Sequence, residues 1–311
     1  MTIDKTAVEA KPPWFANKNV VVMTYRINRR PKEQGNLFGG QPASFIDHLT
    51  ECLLFGVEMT TSGRGHARHW KLGNRKIGAS DDYLAGWIGF RAEDSEEQDD
   101  YDDEEKVWRT EEVTVDRRAT APFVIVSSTR LLFVAKHKEF GENVPALVIQ
   151  RLLEKGEKER DHVTTDWAVE PVLDNRGFQQ WLEETTVLNS ITFTVRLPNP
   201  DGEASFKQID DFMKTNRVGK MVETLTPSDS EVGLTKDFER DPWSRGLMEM
   251  VRRSFAQLRA KGTGAAGKIR TYNQSEKVRR NRVLMSRDHT GTLDALVEYG
   301  KSITISDLTD E

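Results

Sequence analysis

Apolar residues recur along this chain at two periods, and the switches between them predict its elements. Val20 to Ile27 (VVVMTYRI) has the composition of a strand, and a glycine-rich loop, Glu33 to Gln41, follows it. Pro42 to Gly56 reads as a helix. Ser44 is its N-cap with Asp47 three residues on, and Phe45, Leu49, Cys52 and Leu53 form its apolar stripe. Short strands are expected at Val57 to Thr61, His66 to Leu72 and Trp87 to Arg91. Phe123 to Val126 and Leu131 to Ala135 flank the polar Ser127 to Arg130 as a β-hairpin. Beyond it Val144, Leu147, Val148, Leu152 and Leu153 fall near helical spacing, with Pro145 suited to a first turn. Hairpin and helix predict a two-layer nucleus in which Phe123, Ile125, Leu132 and Val134 lie buried under Leu147.

Downstream, Val163 to Val172 reads as a strand and Phe178 to Leu182 as a short helix with Trp181 inward. Ile191 to Leu197 alternates apolar and polar as a half-buried strand does, and the turn Asn199 to Gly202 ends it. Phe206 to Met213 has helical spacing, and Met221 to Leu225 that of a strand. Asp241 to Ala260 reads as a long helix: Asp241 caps it, Pro242 opens it, and Leu247, Met250, Val251, Phe255 and Leu258 make its stripe. Lys261 to Lys268 (KGTGAAGK) reads as a flexible break, and Val283 to Met285 and Ile303 to Ile305 as short strands.

These elements predict an α+β fold of two lobes, with mixed or antiparallel sheets and packed helices. Residues 1–118 would form an N-terminal lobe with an acidic loop inserted at 92–105, residues 119–240 a central hairpin–helix domain, and residues 241–311 a helix and basic tail packed on the rest.

Charge changes the picture more than composition does. The 311 residues are 37% hydrophobic and 31% charged, enough for a core under a highly charged surface. There is no apolar run long enough for a transmembrane helix and no apolar segment near Met1 resembling a secretory signal, so a cytoplasmic protein with no membrane insertion is expected. The single cysteine, Cys52, excludes an internal disulfide and reads as a small buried hydrophobe. The net charge of −5 conceals a division: residues 92–105 hold ten acids and no base, whereas residues 252–287 hold eleven arginines and lysines against Glu276. So dense an acidic run reads as an unfolded loop, and the basic block points to an anionic partner.

Catalytic and metal signatures are weak. His66 and His69 lack the further ligands that zinc needs. The sequence after Lys261 resembles a phosphate loop but is followed by Ile269 and preceded by a helix, so both flanks are wrong. Asp161, Asp166 and Glu170 have no adjacent lysine of the nuclease kind, and Cys52 has only His48 one turn away, on a face that reads as buried. No catalytic residue, metal or cofactor is expected. The chemistry that stands out is phosphate binding, by Lys268, Arg270, Lys277, Arg279, Arg280 and Arg282 of the tail and by Arg64, Arg68 and Arg75 of an N-terminal basic loop. Tyr272 is available there to stack on a base or sugar.

VVVMTYRI followed by SFIDHLTECLL, then the segment from Ala121 to Gly156, then VLNSITFTVRLPNP resembles the RexA family of prophage-encoded phage-exclusion proteins. The likeness is one of order, spacing and residue character over about residues 20–235. It implies a two-lobed α+β homodimer that binds double-stranded DNA with little sequence preference and senses or blocks phage infection, with an effector partner protein in such an abortive response. A nucleic-acid-processing enzyme with a scattered site, and a scaffold that holds a basic partner on the acidic run, are the alternatives.

Overall fold

In a computed structural model of the chain, residues 13–31, 44–55, 58–62, 67–78, 80, 82–102, 107–159, 165–172, 174–196, 206–238, 240–276 and 278–304 are described. The first strand, β1 (Asn19–Pro31), is the one on which the larger sheet is assembled. After it come α1 (Phe45–Phe55), β2 (Glu58–Ser62), β3 (Ala67–Ile77), β4 (Tyr83–Asp102), β5 (Val107–Val126), β6 (Leu131–Ala135), α2 (Val144–Glu159) and β7 (Thr165–Pro171). The chain then builds a second sheet: α3 (Asn175–Glu183), β8 (Thr185–Arg196), α4 (Lys207–Thr215), β9 (Lys220–Leu225), α5 (Pro242–Arg252), β10 (Ala256–Gly264) and β11 (Ile269–Asn273). It returns to the first through β12 (Arg280–Leu284) and ends in α6 (His289–Ser302). The fold is α+β, and every pairing in both sheets is antiparallel.

In the large sheet the order is β12-β1-β6-β5-β4-β3-β2. The free edge of β1 is shared: β12 pairs with Asn19 to Met23 and β7 with Tyr25 to Pro31. A triangle of backbone bonds closes the gap between them. Val172 N–H donates to Thr24 O, Thr24 N–H to Arg279 O, and Arg279 N–H to Val172 O, each at 3.1 Å. Strand alternation gives β1 two characters. Met23, Tyr25 and Ile27 face the core under α1 and α2, and Val20 and Val22 face the core under α6. Farther along that second face the buried residues are Thr24, Arg26 and Asn28. The small sheet, ordered β11-β10-β8-β9, packs with α3, α4 and α5 around Phe193, Leu247, Met250 and Leu258. Gln274, fully buried, joins the two units: its carbonyl accepts from Leu258 N–H and its amide donates to Pro171 O.

The hairpin forms as expected, with Phe123 opposite Val134 and Ile125 opposite Leu132, and the expected Ser44–Asp47 cap closes α1. Several expectations need correction. As far as Asp102 the acidic run is no loop: the backbone of β4 continues to Asp102 and pairs with β5 from Val107, and residues 103–105 lie outside the described residues. A ladder is made of backbone groups, and the β-favouring VWRT and VTV segments supply a partner strand. From Glu93–Asp116 outwards these strands pair only with each other, a ribbon about 30 Å long at ~3.3 Å per residue.

The long helix from Asp241 stops at Arg252, because Ala256, Leu258 and Ala260 bury at period two and continue as β10. Two glycines of KGTGAAGK, Gly262 and Gly264, are packing glycines in β10: a Cβ on Gly262 would sit 2.3 Å from Thr185 Cγ2, against the neighbouring strand. Leu147 is 44% exposed, and the buried face of α2 is Ala146, Val148, Ile149, Leu152 and Leu153. Ile303 follows a helix that the sequence did not signal, α6, which covers the hairpin through Leu293, Leu296 and Val297. The expected boundary at 118/119 falls inside β5, and that at 240/241 just before α5. The turn at Asn199 to Gly202 lies outside the described residues. Among the described residues no helix is long and apolar enough to cross a membrane.

Candidate nucleic-acid interface

The nine cations singled out in the sequence do not converge on one surface. Arg64 and Lys277 lie outside the described residues. Lys268 is exposed in the turn between β10 and β11, and Arg270 pairs with Glu184. Arg279 is buried where its backbone ties β7 to β1. Arg280 and Arg282 share the exposed face of β12, but Arg280 pairs with Glu142, which also takes Lys136 at 3.3 Å. Arg68 lies 4.5 Å from the Phe90 ring centroid and donates to Glu139 O, and Arg75 donates to Leu53 O at 2.8 Å. Tyr272 packs between Phe178 and Trp181 in the core of the small sheet, where burial raises its hydroxyl pKa, so it cannot stack on a base.

A different set of arginines gathers where the two sheets meet. Arg26 rises from β1 with 6% exposure, its guanidinium 4.4 Å from the Phe255 ring centroid. Its Nε and Nη1 have no hydrogen-bond partner, and no carboxylate pairs with it among the described residues. Glu170 stands directly opposite on β7, yet its carboxylate accepts from Asn28 Nδ2 at 3.2 Å and lies 3.8 Å from Arg196 of the small sheet. Burial, and then the like charges of Arg130 and Arg253, push the Arg26 guanidinium down to about 10. Arg130 sits in the hairpin turn with its guanidinium over Phe45. Arg253 ends α5 beside Arg252, and both pair with Glu249.

The turn after α5 completes this seam. Phe255 N–H donates to Met250 O and Ser254 N–H to Val251 O, the paired bonds of a Schellman helix end. The residue that must adopt the left-handed conformation is usually glycine, and here it is Ser254 at φ 58°. Ser254 is 1% exposed, its carbonyl accepts from Asn28 Nδ2 at 3.1 Å, and its hydroxyl is unpaired. Thr24 Oγ1 and Asn28 Oδ1 are likewise buried without partners. Backbone strain and unpaired buried polar atoms thus coincide with a guanidinium that lacks its counter-ion, the combination expected of a site built for a ligand.

No sequence signal marks Arg26, because Thr24, Arg26 and Asn28 alternate with apolar residues as a solvated strand face does. Only the docking of the small sheet onto that face reverses the reading.

An open groove of about 1360 Å³ lies elsewhere, over β3 and β4 beside the start of α6. Its cations have carboxylate partners: Lys71 with Glu58 at 3.1 Å, Arg91 and Arg118 with Asp116, and Lys155 with Glu159 at 3.5 Å. The seam has the stronger anion chemistry. The one group of three potential metal ligands among the described residues, His48, Cys52 and Glu157, lies between α1 and α2. A family model described as a domain of unknown function, DUF4747, matches residues 89–301. No curated protein and no solved structure matches the chain.

Proposed function

The chain belongs to the DUF4747 family, a domain of unknown function, and on that premise we propose that it is a non-enzymatic protein that binds double-stranded DNA, holding backbone phosphate at the arginine seam. The observation that carries this reading is Arg26. A guanidinium removed from water costs several kcal/mol unless an anion pairs with it, and here burial and the like charges of Arg130 and Arg253 act against the charged form. Phosphate is the matching partner, because a guanidinium presents parallel N–H donors to two phosphate oxygens. Arg130 and Arg253 act on Arg26 by charge, Arg196 lies 3.8 Å from the facing Glu170, and Lys268 and Arg282 are exposed elsewhere on the chain.

Contacts of this kind read the backbone, so binding is weakly sequence-specific and steeply salt-dependent. The homodimer and the place in prophage exclusion or phage defence with an effector partner come from the RexA resemblance, the cytoplasmic setting from the composition of the sequence, and all belong to the same proposal. The test is a DNA titration over a range of salt, with a magnesium-dependent cleavage assay on the same duplex. Salt-sensitive binding of unrelated sequences without cleavage supports the proposal. Cleavage would favour a nucleic-acid-processing enzyme, and no binding at low salt would overturn the DNA reading.

One observation favours a second reading, a protein scaffold. The ribbon of β4 and β5 beyond Ala92 pairs only with itself and carries the acidic run, a shape and charge suited to a basic protein partner. Pulldown with and without residues 93–116 tests it.

A further inference from the structure

His48 and Cys52 are four residues apart on α1, so their side chains leave one face of the helix. Glu157 reaches that face from α2 because its neighbour is Gly156, where a Cβ would lie 2.0 Å from Cys52 O. The helices meet backbone to backbone at this point, and no other residue type fits without separating them. An imidazole nitrogen of His48, the Cys52 sulfur and a Glu157 carboxylate oxygen all lie within 4.8 Å of one another. All three residues are buried, Cys52 completely and Glu157 to 1% exposure.

One carboxylate oxygen, Oε1, is crowded: His48 Nε2 is bonded to it, Cys52 Sγ lies at 3.5 Å, and Trp167 Nε1 donates to it at 3.1 Å. The other, Oε2, is buried with no partner among the described residues. A buried carboxylate with a spare oxygen, facing a thiol and an imidazole, is an incomplete arrangement for a hydrogen-bonded pair and a suitable one for a metal.

We propose that His48, Cys52 and Glu157 bind one zinc ion, which clasps α1 to α2. Thiolate, imidazole and carboxylate are the zinc donor set, at about 2.0–2.3 Å from the ion, and ligands at that range sit roughly 3.3–3.8 Å apart around a tetrahedron. The side chains therefore need only small rotations to meet one ion. Glu157 can complete the shell by binding through both oxygens, as a distorted four-coordinate site. A thiolate and a carboxylate balance the 2+ charge, so the loaded site is neutral in its dry surroundings. The thiol proton leaves on binding. The Trp167 indole remains as the outer hydrogen bond that orients the carboxylate. Because the site is closed to solvent, the ion enters while the chain folds.

The experiment refolds the full chain in the presence of Zn²⁺ or Co²⁺ and removes excess metal by dialysis. Binding predicts retention of about one equivalent of zinc per chain, and with cobalt a near-ultraviolet thiolate charge-transfer band together with tetrahedral visible bands. It also predicts a lower Tm when the chain is refolded with chelator. Cys52→Ala, a small apolar replacement, loses the charge-transfer band and the dependence of Tm on chelator. His48→Gln weakens retention. Wild-type protein that retains no zinc and shows no thiolate band overturns the proposal and leaves a buried hydrogen-bonded pair, as does zinc retention that Cys52→Ala does not alter.

Discussion

Arg26 lies over the ring of Phe255, 4.4 Å from its centroid, and this contact joins the two sheets of the molecule. The arginine comes from the strand that organises the large sheet, and the phenylalanine follows the turn that leads α5 into the small one. A cation over an aromatic face gains some energy, but a ring does not satisfy the N–H groups at the edge of the guanidinium plane. Those groups stay open at Nε and Nη1. The junction therefore holds the lobes together while two guanidinium nitrogens stay without a partner among the described residues.

Ser254 is expected to hold its strained conformation at a loss of stability. Ser254→Gly removes the penalty of φ 58° and a buried unpaired hydroxyl, while the carbonyl that accepts from Asn28 remains. Urea unfolding should show a gain of about 0.5–1 kcal/mol. A loss of stability would mean that the hydroxyl has a partner in the folded protein.

The core is tested by two leucines of one helix. Leu152 is fully buried in the cluster with Phe123, Ile125, Leu132 and Val134, so Leu152→Ala should cost about 2–5 kcal/mol. Leu147 faces outward, and Leu147→Ala should change stability by less than about 0.5 kcal/mol. The reverse ranking in denaturant midpoints would place the helix the other way round.

These leucines also indicate how far the sequence could be read. Val144, Leu147, Val148, Leu152 and Leu153 all fit an apolar stripe, but the face of α2 that packs inward runs through Ala146, Val148, Ile149, Leu152 and Leu153 and leaves Leu147 outside. Local signals sufficed for the hairpin, the Ser44–Asp47 cap and the first strand. They failed where long-range packing decides. β10 carries both a helical and an alternating pattern, and its pairing with β8 selects the second. Arg280 has the residue type of a phosphate contact, but Glu142, 138 positions away, claims it. Arg26 has the pattern of a solvated position, but the small sheet covers it. The seam was thus illegible because each of its members is ordinary in its own segment.

Glu142 gives the acid limb of stability a specific source. Burial alone would raise its carboxyl pKa, but hydrogen bonds from Arg280 and Lys136 outweigh burial and hold it below the ordinary carboxylate range. A carboxyl lowered on folding stabilises the native state above its unfolded pKa, and that stability disappears as pH falls through the folded value. Glu142→Gln should flatten the loss of stability on acidification below about pH 4.5, measured as urea midpoints against pH. An unchanged slope would show that the pair with Arg280 does not form in solution.

The seam itself is tested most directly by Arg26→Met, assayed on one preparation for both stability and DNA binding. Methionine keeps much of the packing on Phe255 without the buried charge. Replacing buried charge by an apolar side chain is commonly neutral or stabilising by ~1 kcal/mol or more. The account predicts that Arg26→Met melts at the wild-type temperature or above it and binds DNA more weakly for every sequence, with the slope of log affinity against log salt reduced by about 0.9. A variant that melts lower yet binds with unchanged affinity and salt slope would make Arg26 a structural residue and contradict the claim that the seam is a phosphate site.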